Sequence, residues 1–189
     1  MNTYDFVHLA LHAMGGEIAG KTKLQKTVYF LGVMTDCLEE LGYGAHYYGP
    51  YSAEVAEGAD RLVSLGFVDV SVSGDWGIDS RGFEVARYDY KLNDEGKRVA
   101  EQKKSRFPDV PSSIERAAEK LRTRGDQHYM NLSIAAKIHF MLGKKEGEAT
   151  LDELCELAAD FGWSVSPDQA RDAATFLHSL GLVRFPEEN

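Results

Sequence analysis

Residues Gly15-Gly16-Glu17-Ile18-Ala19-Gly20-Lys21-Thr22 satisfy the pattern G-x-x-x-x-G-K-[ST]. In nucleoside-triphosphate-binding proteins that spacing wraps backbone amides round phosphate oxygens, aims the lysine at the outer phosphates and offers the hydroxyl to magnesium. A helix is predicted directly after it, as the motif requires, and Leu65-Gly66-Phe67-Val68-Asp69 supplies an apolar run ending in a carboxylate that would suit the metal. The surroundings argue the other way. A phosphate loop hangs from a buried parallel strand, which holds it rigid and aims the next helix at the phosphates. Here residues 4–14 place Tyr4, Val7, Leu11 and Met14 at helical spacing, with His8 and His12 read as exposed between them. Nor does the chain offer the repeated strand–helix units of a parallel sheet. The expected role of 15–22 is a turn and a helix start, with nucleotide binding a remote alternative.

Anion contact is the other chemistry of this region. Lys21, Lys23 and Lys26 crowd the start of a predicted helix, where cations oppose the helix dipole unless an anion lies nearby. A second basic stretch, Lys97, Arg98, Lys103, Lys104 and Arg106, is interrupted only by Glu101 and could follow a phosphate backbone or present a solvated face. The loop His46-Tyr47-Tyr48-Gly49-Pro50-Tyr51 concentrates aromatics, so Tyr47, Tyr48, Pro50 and Tyr51 form a candidate partner surface. The same rings could equally cover the core beneath a tight loop. His8 and His12 stand one helical turn apart without a cysteine or carboxylate at zinc-site spacing, so no metal site is expected and the pair reads as surface. No nucleophile has a base and an orienting group in local sequence, so no catalytic residue and no cofactor are expected.

The elements that must position these residues follow from periodicity. After the first helix, a bridge strand at 17–20 leads to a second helix opened by a Thr22-x-x-Gln25 capping box, with its stripe running through Leu24, Val28, Leu31, Leu38 and Leu41 to Gly42. Ser52 caps a third helix lined by Val55, Ala59, Leu62 and Leu65 and stopped by Gly66. The period then becomes two at Val68, Val70 and Val72, a turn region follows at 74–77, and 83–92 reads as the returning strand. Asn93 caps a helix over 94–104. This order predicts a mainly α, α+β fold of winged helix-turn-helix type, with a small antiparallel hairpin as the wing.

Phe107-Pro108-Asp109-Val110-Pro111 predicts a linker, dividing the chain into a winged-helix-like domain at 1–106, a linker at 107–112 and a C-terminal module at 113–189. Helices are expected over 113–124 and 132–142, after a Thr150-x-x-Glu153 capping box, and from Ser166 with Pro167 at the first position. Leu62-Val63-Ser64-Leu65-Gly66-Phe67-Val68 matches Leu177-His178-Ser179-Leu180-Gly181-Leu182-Val183, which suggests a second winged-helix-like module with a shortened wing or simply a shared way of ending a helix.

Composition narrows the partners. The 189 residues carry a net charge of −9, which opposes non-specific attraction to nucleic acid or anionic membrane. The third helix, in the position that reads bases in DNA-binding winged helices, holds Glu54, Glu57 and Asp60 against Arg61, poorly suited to a phosphate-lined groove. Two cysteines, Cys37 and Cys155, each lone within a predicted helix, fit a reducing compartment. The opening residues lack a basic leader with an apolar run, and no stretch reaches membrane-spanning length, so a cytoplasmic location without membrane contact is expected.

Gly20-Lys21-Thr22-Lys23-Leu24-Gln25-Lys26, then Tyr48-Gly49-Pro50-Tyr51-Ser52 and a helix ending Leu65-Gly66-Phe67-Val68, resemble the YwgA-like family of bacterial and archaeal proteins. More distantly they resemble the Panacea domain of SocA-like antitoxins. The likeness covers the first half of the chain. It implies a winged-helix-like fold in which Leu-Gln-Lys starts one helix and Gly-Pro-Tyr-Ser the next, and by analogy a binding role. The expectation is a non-enzymatic regulator contacting DNA, with Lys21, Lys23, Lys26, Lys97, Arg98, Lys103 and Lys104 on phosphates. The alternative is a protein-interaction module of antitoxin or adaptor type, and a homo-oligomer is among the expected states.

Overall fold

The computed structural model describes residues 1–73, 86–107, 109–124, 128–145 and 149–184. The fold is α+β: helices surround one three-stranded antiparallel sheet. The chain runs α1 (Thr3–Ala13), β1 (Glu17–Ala19), α2 (Lys21–Met34), a single 3₁₀ turn (Glu39–Leu41), α3 (Ala53–Ser64), β2 (Val68–Ser73), β3 (Arg87–Leu92) and α4 (Asp94–Lys104). Four more helices follow: α5 (Asp109–Thr123), α6 (Tyr129–Lys144), α7 (Leu151–Asp160) and α8 (Pro167–Ser179). Strand β3 is central, pairing Glu17 with Lys91 on one edge and Val68 with Leu92 on the other. The turn region predicted at 74–77 and the first residues of the predicted returning strand lie outside the described residues.

Most caps stand where the side chains require them. Ser52 accepts the Val55 amide at 3.0 Å, Asn93 accepts the Gly96 amide at 2.9 Å, and both Thr150 and Ser166 form capping boxes. The box predicted for α2 is not formed. The helix begins two residues earlier, its cap is Gly20 at φ 95°, and no side chain caps the first turn. Gln25 is freed for a different partner. The predicted continuation of α2 to Gly42 also fails: Thr35 caps its C-terminus and Asp36 takes φ 57°, a left-handed conformation that no α-helix continues through. Cys37 consequently lies in the turn beyond the helix, its thiol 3.3 Å from the Thr35 carbonyl.

The predicted linker is largely helical. Asp109 to Pro111 form the first turn of α5, where proline removes an amide that has no intrahelical acceptor. Helices α5 and α6 pack on α1 and α2, and a single apolar core joins Phe6, Leu31 and Leu62 to Ile114, Leu132 and Leu177. The short internal repeat is a shared helix ending. In α3 the Phe67 amide bonds the Leu62 carbonyl at 3.0 Å, and in α8 the Leu182 amide bonds that of Leu177 at 3.0 Å. The first copy continues into β2. The second does not, because no described residue of the C-terminal half forms a strand that could pair with Leu182 and Val183. Beyond it, 185–189 lie outside the described residues.

His8, read from sequence as exposed, is fully buried. Its ring stacks on Phe67 at 5.7 Å between centroids. Its Nε2 lies 2.8 Å from the Gly96 carbonyl, which can only accept, so the neutral ring carries its proton there. Burial first, and the Lys103 charge second, push its pKa down to about 4. The unfolded chain protonates this ring near pH 6.5 while the folded chain does not, so stability falls as pH drops through that window. By pH 5 the loss from this group is expected to reach about 2 kcal/mol. Proton NMR of the His8 ring checks it: a midpoint near 4 is expected, and one near 6.5 would refute the assignment.

A cationic, aromatic cleft at the start of α2

The first turn of α2, the loop before α3, the first residues of β3 and the start of α6 enclose a cleft of about 740 Å³. Two of its borders were predicted as separate features: the lysines of the α2 start, Lys21, Lys23 and Lys26, and the tyrosines Tyr48 and Tyr51 of the loop. Arg87 and Tyr88 on β3 and His128 and Tyr129 at α6 complete it. No Asp or Glu is among the described residues that line it.

The loop is held rigidly by its alternate carbonyls. That of His46 accepts the Trp163 indole N–H at 2.7 Å, that of Tyr48 the Ser133 hydroxyl at 2.8 Å, and that of Pro50 the Lys26 ammonium at 2.6 Å. Each donor comes from a different part of the chain. Gln25 clamps the next residue along, donating to the Ser52 carbonyl at 2.9 Å while its own oxygen accepts the Ser52 amide at 3.1 Å. Tyr43 donates to the Gln25 carbonyl at 2.6 Å, and Gly44 and Tyr51 exchange backbone hydrogen bonds. This segment is therefore a fixed wall, since each inward carbonyl has a donor. Tyr48 and Tyr51 border the cleft, Tyr47 is half exposed beside Tyr48, and Pro50 is buried.

The predicted anion contacts separate into two groups. Lys21 is exposed, with its ammonium 3.8 Å above the Tyr88 ring, and Lys23 is half buried at the rim. Among the described residues neither has an ion-pair partner. Lys26 is different: it is 2% exposed and its ammonium is committed to Pro50. Burial, and then the neighbouring charge of Lys137, push its pKa down to about 7. With its ammonium turned to the Pro50 carbonyl behind the loop, it is not a solvated phosphate contact.

The α4 cations are neutralised where they stand. Lys97 reaches Asp94 at 3.8 Å and Arg98 reaches Glu95 at 2.5 Å. Lys104 holds Glu101 at 2.9 Å and Glu115 at 2.6 Å. Lys103 is buried against Asp5 at 2.7 Å, over the Tyr4 ring. Of the stretch that reads as strongly basic in sequence, only Arg106 stands exposed without an ion-pair partner among the described residues; the other cations find carboxylates on α1, on α5 and one turn away along α4.

The glycine-rich octapeptide does not form a phosphate loop. Its middle is β1, extended and paired to β3, and the preceding element is α1, not a strand. The glycines supply left-handed turns at each end of β1, at φ 84° for Gly16 and 95° for Gly20. Sequence reasoning missed Arg87, Tyr88, His128 and Tyr129, as well as Ser133 and Trp163 behind the loop. No local pattern marks them: Ser133 and Trp163 meet the loop carbonyls across 85 and 117 residues, and the others come from β3 and the start of α6.

No family model matches the chain. Over 100 residues it is 31% identical to the uncharacterised protein YwgA of Bacillus subtilis (strain 168), a match covering 53% of this chain and 55% of that protein. The chain thus spans about half the length of the curated relative it matches, and the match supports a YwgA-like relationship.

Proposed function

We propose that this chain is a non-enzymatic winged-helix regulatory protein that holds DNA through the cleft at the start of α2. The observation that carries the reading is the meeting of Lys21 and Lys23, without carboxylate partners among the described residues, with the tyrosines of the loop in one cleft. The element order and the strand order β1-β3-β2 support the winged-helix reading. The usual reading helix takes no part. Glu57 and Asp60 stand exposed on α3 and would meet phosphate with like charge. Contact therefore belongs to α2 and the loop, where positive charge faces a concave surface.

Fluorescence anisotropy with labelled DNA of mixed sequence, offered as duplex and as single strand from about 50 mM salt upward, tests the reading. Binding is expected to weaken with salt. A variant carrying Lys21→Ala and Lys23→Ala is expected to lose about tenfold or more in affinity and to flatten the log–log salt slope by about 1 for each lysine. Absence of binding to either form at low salt overturns it. A protein partner then becomes the working model, favoured by the exposed acids of α3 and by Tyr47, which is 49% exposed.

A further inference from the structure

Resting on that reading, we infer that the cleft takes unpaired nucleotides, a phosphate-bearing strand with its bases unstacked, in preference to duplex DNA. Three features of the cleft point the same way. Aromatic rings border it from separate elements: Tyr51 leans on His46 at 4.9 Å, Tyr129 on His128 at 4.8 Å, and Tyr88 lies beneath the Lys21 ammonium. Rings collected in a concavity suit the faces of exposed bases, which a duplex keeps stacked inside itself.

The charge is also too local for a duplex. The cations at the cleft mouth are Lys21, Lys23 and Arg87, and Arg87 already shares its charge with Asp89 at 2.7 Å. The α4 cations predicted to extend the track are paired with carboxylates. Two or three phosphates can be matched here, fewer than the six to ten of a typical duplex reader. Finally, about 740 Å³ is the size of a small-molecule site, room for one or two nucleotides and not for a double helix. The hydrogen bonds that hold the loop keep that shape in place before any ligand arrives, which limits the ordering that binding requires.

A free nucleotide and a strand end present the same chemistry, and the experiment separates them. The full chain is titrated into a fluorescein-labelled mixed-sequence 12-mer and into the same strand annealed to its complement, with thymidine 5′-monophosphate as competitor. The strand is expected to bind about tenfold or more tightly than the duplex, with a log–log salt slope near −2. Tyr129→Leu alters an exposed residue and so leaves the fold intact; it is expected to weaken the strand about fivefold and the duplex by a clearly smaller factor. Tyr88→Leu is expected to act likewise. Competition by the mononucleotide at concentrations near the strand's own assigns the source to free nucleotide, whereas competition only by oligomers assigns it to a strand.

Duplex bound as tightly as strand, or a strand affinity indifferent to Tyr129→Leu and Tyr88→Leu, overturns the inference. If that duplex binding still depends on Lys21 and Lys23, the DNA reading survives without it. Failure of both forms to bind at low salt removes both together.

Discussion

Replacing Lys26 with methionine is expected to stabilise the protein at pH 7 by about 2 kcal/mol and to abolish much of its gain in stability toward pH 9. The unfolded lysine titrates near 10.5, whereas in the fold burial brings it down to about 7. Between those values the unfolded chain binds the extra proton, so the stability of the native protein rises with pH across the window and is least below its lower end. From pH 7 to pH 9 the rise from this group is expected to be about 2 kcal/mol. Methionine keeps the apolar stem and removes the buried charge, although it leaves the Pro50 carbonyl without its donor, which offsets part of the gain.

Lys103 and Lys137 are also lowered by burial, so the native curve contains their contributions and the variant isolates that of Lys26. The useful range ends near pH 10. Tyr29, Tyr43 and Tyr90 are raised by burial and keep their protons in the fold, so stability falls once the unfolded tyrosines ionise. Urea unfolding of both proteins at pH 7, 8 and 9 decides the matter. A variant that is less stable at pH 7 and shows the native slope would mean that Lys26 is charged and well compensated in the fold. An anion held in the cleft would raise the proton affinity of Lys26, so binding near neutral pH is also expected to take up protons, measurable as a buffer-dependent heat.

Gly96→Ala is expected to cost about 3 kcal/mol or more, since its Cβ would make the closest approach at any described glycine. A Cβ at Gly96 would stand 2.1 Å from the Phe67 carbonyl oxygen and 3.0 Å from Leu92 Cδ2. Backbone cannot yield as a side chain does, so α4 would have to move away from the start of β2. The same shift strains three bonds converging there: Asn93 capping the Gly96 amide, the Asn93 amide on Phe67, and His8 on the Gly96 carbonyl. Gly143→Ala, in α6 with open space around it, is the control and is expected to stabilise by up to about 1 kcal/mol. Equal urea midpoints for Gly96→Ala and the native chain would show that α4 does not approach the sheet this closely.

Much of the local structure was legible because its causes are local. Ser52, Asn93, Thr150 and Ser166 cap helices through side chains that reach amides within three residues. Alternating Val68, Val70 and Val72 announced β2, and Gly66 and Gly181 ended α3 and α8 in the same left-handed turn. Where two local patterns competed, the tertiary contact prevailed. Thr22 and Gln25 spell a capping box, yet Gln25 satisfies the Ser52 backbone instead, because that peptide is buried and has no water to bond. His8 looked polar and exposed until α4 and Phe67 covered it.

The candidate site divides the same way. By itself the sequence determined that Lys21 and Lys23 crowd a helix start, that tyrosines crowd a loop, and that the third helix is acidic, since these are properties of neighbours along the chain. Only the tertiary structure decided that the lysines and the tyrosines share one cleft, that Lys26 is drawn behind the loop, and that every α4 cation predicted to reach phosphate already has a carboxylate. The physical reason is that charge and hydrogen bonding act through space: a cation's availability depends on which acids folding brings within about 4 Å, and here Asp5 of α1 and Glu115 of α5 join the acids already one turn away on α4.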